Sequence, residues 1–155
     1  MGRLKELRKY VNQQLEKMSD PEERIKAAAH LYGVSLAATM ISEKRHQNTE
    51  LASMAAMLHD LYAYENGTYE DHAHRGAVLA EEILKKLALT DEEETKTICS
   101  AIYHHDDKAS VDSPMDEVLK DADVCHHVMN DLSKEVKEKE RIRYENLRKE
   151  FGFEK

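Results

Sequence analysis

The stretch MAAMLHDLY, residues 54–62, decides the fold, because it ends an apolar helix on an adjacent histidine and aspartate. The apolar positions that predict this helix recur every three or four residues and are Leu51, Met54, Ala55 and Leu58. At a helix end, His59 and Asp60 can face an internal cavity and reach one ion, and the second carboxylate oxygen can bridge to another. A helix C-terminus also favours histidine through its dipole, so the pair needs support from elsewhere in the chain.

Helical periodicity extends along most of the sequence, and no stretch has the alternation of a strand. The predicted helices span residues 4–18, 21–44, 49–59, 72–87, about 90–105 and 114 onward, with residues 61–70 as a loop. Asp20 and Pro21 indicate one helix start, and Thr90 opens a capping box at another. The sequence therefore predicts an all-α fold: one domain over residues 1–155, with a core at about 21–132. The N-terminal helix 4–18 and a charged C-terminal helix 133–151 are expected to pack on this compact bundle of about six to seven helices.

Composition narrows the function classes. The net charge of −8 argues against duplex nucleic acid as a partner, because phosphate-backbone binding needs a basic face. No apolar run is long enough to span a membrane, and the two cysteines lack the spacing of a metal or redox motif. We expect a soluble, cytoplasmic protein with no membrane partner. The amphipathic first helix permits a homodimer without requiring one.

Further imidazoles and carboxylates occur on the other predicted helices. His30 follows three alanines in an apolar stretch, where a hydrogen-bonded core histidine is the alternative to a metal ligand. His72 starts a helix, and His104 and His105 end another, where solvated polar residues are also common. Asp123 lies among apolar residues, and an unpaired carboxylate there is costly unless a cation compensates it.

Taken together, these residues form a pattern that resembles the HD-domain superfamily of metal-dependent phosphohydrolases. The matching segments are AAAHLYGVS with His30, AAMLHDLY with His59 and Asp60, DHAHRGAVLAEEIL with His72 and Gly76, AIYHHDDK with His104 and His105, and LKDADV with Asp123. The resemblance covers about residues 21–132 and implies the HD-domain helical bundle. Its paired histidines resemble those of the branches with two metal ions, which include cyclic-dinucleotide phosphodiesterases and diadenosine tetraphosphate hydrolases.

The resemblance implies a ligand set for two divalent ions. The first ion would be held by His30, His59, Asp60 and Asp123, and the second by His72, His104 and His105, with Asp60 as the bridging and catalytic carboxylate. Asp121 competes with Asp123, but the Ala-Asp dipeptide favours Asp123. Iron or manganese is expected first, with cobalt, nickel, zinc or magnesium as alternatives.

The implied activity is hydrolysis of a phosphate ester or phosphoanhydride of a nucleotide, or of a related small molecule, by a metal-activated hydroxide. Lys108 and Arg75 follow the ligand motifs and are candidate phosphate contacts, or else solvated cations. The candidate proton acceptors are Asp106, Asp107 and Asp121. Two alternatives use the same scaffold: a mixed-valent di-iron oxygenase, and a non-catalytic nucleotide- or metal-binding module. A cyclic-di-GMP substrate is disfavoured, because Gly-Tyr-Pro is absent after HHDDK.

Overall fold

The computed structural model describes residues 2–153, which form helices and connecting turns and contain no strand. The α-helices are α1 (Arg3–Leu15), α2 (Pro21–Lys44), α3 (Thr49–Leu58), α4 (Leu61–Asn66), α5 (His72–Leu87), α6 (Glu92–His104), α7 (Pro114–Met129) and α8 (Arg141–Glu150). A 3-10 helix, Glu138–Glu140, precedes α8. The prediction of an all-α bundle is confirmed.

The centre of the bundle is α3, which the sequence predicts to be buried on one face only. Every residue from Leu51 to Leu58 is buried, including Ser53. The Ser53 hydroxyl donates to the carbonyl of Thr49 at 2.8 Å, so this polar group has a partner inside the core. The other helices, mainly α2 and α6, surround α3 and therefore fix the direction in which its C-terminal end points.

Two helix starts follow the local signals of the sequence. The Asp20 side chain accepts a hydrogen bond from the amide of Glu22, and Pro21 occupies the first turn of α2. At α6 the capping box is formed by Asp91 and Glu94, one residue later than the sequence predicts. These caps define where α2 and α6 begin through contacts within the same stretch of chain.

Two segments differ from the sequence prediction. The predicted loop 61–70 begins with the short helix α4, because Leu61 and Ala63 are buried against the bundle and hold this segment in a regular turn. This helix ends at Gly67, whose φ of 66° is in the left-handed region that favours glycine. The predicted helix 133–151 is wrong in its first part, since α8 begins only at Arg141.

Several helices bring their polar residues to one place in this bundle. The C-terminal ends of α3 and α6, the N-terminal end of α5, and the middle of α2 and α7 carry the histidines and aspartates of the sequence motifs. Within residues 2–153, no helix is long and apolar enough to cross a membrane.

Candidate metal centre

Four side chains from three segments direct one atom each to a common point. The Nε2 atom of His30 lies 3.0 Å from Oδ2 of Asp60 and 3.2 Å from Oδ1 of Asp123. The Nε2 atom of His59 lies 3.2 Å and 3.4 Å from the same two oxygens, and 3.1 Å from Nε2 of His30. All four residues are buried or nearly so, and together they could hold a metal ion.

These separations match the edges of a metal coordination polyhedron. Ligand atoms about 2.1 Å from one ion lie roughly 3.0 Å apart along the edge of an octahedron and roughly 3.4 Å apart along that of a tetrahedron. The five distances of this first group fall within that interval. Two imidazole Nε2 atoms that face the same two carboxylate oxygens fit a shared cation better than they fit a set of direct hydrogen bonds.

A second group uses the other oxygen of Asp60. Oδ1 of Asp60 lies 3.4 Å from Nε2 of His72 and 3.3 Å from Nε2 of His105. These three buried residues also offer ligand atoms close enough for one ion. Asp60 is therefore the one residue common to both groups, with one oxygen directed at each.

The backbone fixes the orientation of the imidazoles. The Nδ1 atom of His59 donates to the carbonyl of Ala56 at 2.6 Å, and that of His105 donates to the carbonyl of Ile102 at 2.6 Å. The Nδ1 atom of His72 donates to the carbonyl of Tyr69 at 2.9 Å. Because a carbonyl can only accept, Nδ1 of each ring carries a proton, and Nε2 is the atom left to bind an ion at the centre.

Two buried carboxylate oxygens without a hydrogen-bond partner indicate that a cation belongs at this centre. Oδ1 of Asp60 and Oδ1 of Asp123 are buried, and no donor of the described residues meets them with hydrogen-bond geometry. Burial raises the pKa of both carboxyls, but the neighbouring His59 lowers the pKa of Asp60, and Lys108 lowers that of Asp123. Both pKa values end well below the ordinary range, so both groups are ionised at neutral pH. The donor set therefore fits divalent ions.

We expect metal binding to release protons. In the metal-free protein, burial opposes charge on His59, but the carboxylates of Asp60 and Asp123 outweigh burial and raise its pKa to about 10. A metal ion must displace the proton from Nε2 of His59, whereas the two ionised carboxyls release none. Metal affinity is thus expected to rise by about tenfold per pH unit for each proton released, between roughly pH 6.5 and 8.5. Calorimetric titrations in buffers of different ionisation enthalpy count these protons, and a count of zero contradicts the site.

A cavity of about 580 Å³ opens onto both groups. Its walls include His30, Asp60, His72, His105 and Asp123. The remaining lining side chains include tyrosines and lysines as well as Asp106. A small molecule bound there would therefore contact both groups of ligand atoms.

The structure does not bring His104 into either group. Its Nδ1 atom lies 2.8 Å from the carbonyl of Ser100 and 3.3 Å from a carboxylate oxygen of Asp116, and the ring packs edge-on against Tyr103. His104 and His105 are consecutive on a helix, so their side chains diverge by about 100°. The buried stripe Ile98, Ala101 and Ile102 continues to His105 rather than to His104, and this signal is present in the sequence.

Neither of the two predicted phosphate contacts is among the described residues that line the cavity. Lys108 is buried, and its Nζ atom donates to Oδ2 of Asp123 at 3.0 Å and to the carbonyl of His105 at 2.6 Å. Arg75 donates to the hydroxyl of Tyr62 at 3.1 Å and is not among the described residues that line the cavity. Lys108 is thus placed to orient Asp123, and Arg75 is a surface cation.

Comparison with known proteins agrees with this geometry. A sequence model of the HD domain matches residues 27–127, well over half of the chain. The chain belongs to the HD-domain family. Its fold is similar to the crystal structure of a predicted HD superfamily hydrolase from an uncultured Thermotogales bacterium, with a TM-score of 0.66 and 21% identity over 97% of this chain and 90% of the other. No curated protein sequence matches this chain significantly.

This HD domain has one further histidine at the centre that sequence reasoning missed. His127 lies four residues after Asp123 on α7, a spacing that puts both on one helix face. Its Nε2 atom is 3.4 Å from Oδ1 of Asp123, and its Nδ1 atom donates to Oε2 of Glu140 at 2.7 Å. These three side chains form a third cluster of potential ligands. The hydrogen bond already satisfies His127 and Glu140 without an ion.

In this HD domain, His126 contacts Nδ1 of His30, the ring nitrogen that does not face the candidate metal centre. The Nδ1 atoms of the two rings are 2.9 Å apart. Burial and then the neighbouring imidazole of His30 lower the pKa of His126 to about 4, so its neutral ring can accept the proton of His30 Nδ1. The ring lies against the backbone at Gly33, where an added Cβ atom would be 2.1 Å from Cδ2 of His126.

Gly33→Ala is therefore expected to displace His126 and to weaken metal binding at the first group by roughly 10–100-fold, the usual effect of losing a partner of a metal ligand. Calorimetric metal titration measures this change. The double variant Gly33→Ala/His126→Ala removes the clash. It should be more thermally stable than Gly33→Ala and should bind metal with the same affinity as His126→Ala. Unchanged affinity in Gly33→Ala contradicts the role of His126.

Proposed function

We propose that this HD domain is a metal-dependent phosphohydrolase that cleaves a phosphate ester or phosphoanhydride of a nucleotide or a related small molecule. Its first ion would be bound by His30, His59, Asp60 and Asp123, and its second by Asp60, His72 and His105. The observation that carries this proposal is the position of Asp60. Its Oδ2 atom faces the first pair of imidazoles and its Oδ1 atom faces the second.

The chain's own residues supply geometry and proton transfer. When bound, two adjacent divalent ions lower the pKa of a coordinated water and neutralise charge that develops on a phosphoryl group. The imidazoles hold their lone pairs on this centre through the backbone carbonyls described above. Lys108, buried beside Asp123, keeps that carboxylate ionised and oriented.

Asp106 is the proton acceptor that the geometry favours among the three candidates of the sequence. It borders the cavity directly after His105. Asp107 instead accepts from the amides of Ala109 and Ser110, and Asp121 pairs with Arg45 and Arg143. No described residue donates a hydrogen bond to the side chain of Asp106, so this carboxylate can take a proton from water or return it to a leaving group.

The proposal is tested by product release from the protein loaded with Mn²⁺: orthophosphate or pyrophosphate from a panel of nucleoside mono-, di- and triphosphates, and p-nitrophenol from the phosphodiester bis(p-nitrophenyl) phosphate. Chelator-treated protein and the Asp106→Asn variant serve as controls. We expect release that depends on Mn²⁺ and falls by roughly 100-fold in Asp106→Asn with metal content unchanged. A loaded protein that hydrolyses no member of the panel contradicts the proposal. Oxygen uptake by an iron-loaded protein would favour the oxygenase alternative, because redox-inactive Mn²⁺ should suffice for hydrolysis.

A further inference from the structure

Asp123, a candidate ligand of the first ion, has a neighbour at each of its two carboxylate oxygens. The Nε2 atom of His127 lies 3.4 Å from Oδ1, and the Nζ atom of Lys108 donates to Oδ2 at 3.0 Å. His127 also stacks on His30, another candidate ligand of this ion, with the ring centroids 5.2 Å apart and the planes 10° from parallel. The positions of His127 and Lys108 therefore govern how these two ligands are presented to the ion.

His127 is held by Glu140, the last residue of the 3-10 helix that precedes α8. The Glu140 side chain is buried, and its Oε2 atom accepts from Nδ1 of His127 at 2.7 Å. A carboxylate that has left water needs a donor, and this hydrogen bond supplies one. The bond also fixes the rotation of the imidazole, because it keeps Nδ1 on Glu140 while Nε2 is directed towards Asp123.

Lys108 is held by Arg143, whose side chain is largely buried. Residues 106–113 contain no helix or strand, so the position of their backbone depends on contacts with side chains. The Nε atom of Arg143 donates to the carbonyl of Lys108, and one Nη atom donates to that of Ser110, each at 2.8 Å. The other Nη atom donates to two carboxylates of α7, at 2.8 and 3.0 Å. Arg143 thus joins α7 to the stretch of backbone from which Lys108 reaches Asp123.

We propose that Glu140 and Arg143 are positioning residues of the candidate metal centre, which act on Asp123 through its two neighbours. Both residues lie outside the core that the sequence predicts, in a charged segment without a recognisable motif. On this account the segment 138–143 keeps a metal ligand in place in addition to packing on the bundle. The inference rests on the metal positions of the proposed function and makes no use of the substrate.

The same segment contains a matched pair that is not connected to Asp123. The Nε atom of Arg141 donates to Oε2 of Glu138 at 3.1 Å, and the two side chains are 43% and 88% exposed. Their hydrogen bonds stay within residues 136–141. An exposed ion pair of this kind contributes little to stability. Replacing Glu138 or Arg141 therefore reproduces the change in charge and residue type without disturbing the metal centre.

The test is a calorimetric titration of the metal-free protein with Mn²⁺. Arg143→Gln and Glu140→Ala are each expected to weaken the binding of at least one Mn²⁺ ion by about tenfold, the lower end of the effect of losing a partner of a metal ligand. Arg141→Gln and Glu138→Ala make the same replacements at the exposed pair and should change the affinity by less than about threefold. Glu140→Gln keeps an oxygen that can accept from Nδ1 of His127, so it should restore most of the affinity.

Thermal unfolding of the metal-free variants separates positioning from folding. If Glu140 and Arg143 only hold α8 on the bundle, their variants unfold at a lower temperature but, while folded, bind Mn²⁺ like the wild type, and the inference is overturned. It is also overturned if the control variants lose as much affinity, or if Glu140→Gln binds Mn²⁺ no better than Glu140→Ala. Arg143→Gln decides the question by itself if Glu140→Ala does not fold.

Failure of the proposed function is visible separately from failure of this inference. A protein that shows the expected pattern of Mn²⁺ affinities but hydrolyses no phosphate compound keeps the positioning role of Glu140 and Arg143 and loses the activity. Wild-type protein that takes up no Mn²⁺ overturns both.

Discussion

Asp60→Ala is expected to remove both metal ions and the hydrolytic activity together. Asp60 directs Oδ2 at His30 and His59, and Oδ1 at His72 and His105, so one truncation takes a ligand from both groups. The remaining histidines would then face the neutral side chain of alanine in place of the Asp60 carboxylate. Elemental analysis should show a decrease from about two equivalents per chain to a small fraction of one, and hydrolysis should decrease by at least about 1,000-fold.

The control for this variant is Asp107→Ala, which removes the same charge from an exposed turn. It should retain both ions. The circular dichroism of Asp60→Ala must stay helical, because α3 is held by its packing and not by the carboxylate. Normal metal content in Asp60→Ala would falsify the shared-carboxylate site.

His105→Ala and His104→Ala are expected to differ sharply although the residues are neighbours. His105 is 1% exposed and directs Nε2 at Asp60, so its loss should empty the second position and leave about one equivalent of metal. His104 contacts Ser100 and Asp116 instead, so its loss should leave about two equivalents and lower the free energy of unfolding by about 1 kcal/mol.

Metal content and activity of the two variants decide this point. Hydrolysis should decrease by at least about 100-fold in His105→Ala and by less than about threefold in His104→Ala. Equal loss of metal in both variants contradicts the assignment of His105 alone. Loss of both ions in His105→Ala alone indicates one cooperative cluster in place of two separable positions.

The elements that the sequence predicts well are those with local signals. Asp20 and Pro21 mark the start of α2, and its predicted range agrees with the observed Pro21–Lys44. The segment Leu61–Asn66 was harder, because its tyrosines, Gly67 and short length resemble a loop, and only burial of Leu61 and Ala63 makes it a helix. Glu140, the residue before α8, makes a tertiary contact, its hydrogen bond with His127, which no periodicity reveals.

The same distinction between local signals and tertiary contacts applies to the candidate site. Residues at the ends of apolar stripes, such as His59 and Asp60, are brought together as the sequence predicts. The sequence motif does not distinguish His105 from His104 as the metal ligand, although the buried stripe that ends at Ile102 indicates His105. Nothing local predicts that Lys137 and Lys139 border the cavity, because both are exposed residues of a highly charged segment.

The most direct test of the account is a crystal structure of the protein loaded with Mn²⁺, with anomalous diffraction data that locate the ions. We predict two anomalous peaks that share Asp60. One should lie about 2.0–2.3 Å from His30 Nε2 and His59 Nε2, and the other at a similar distance from His72 Nε2 and His105 Nε2. Absence of a peak at this centre, or a single peak between His127 and Glu140, would contradict the account.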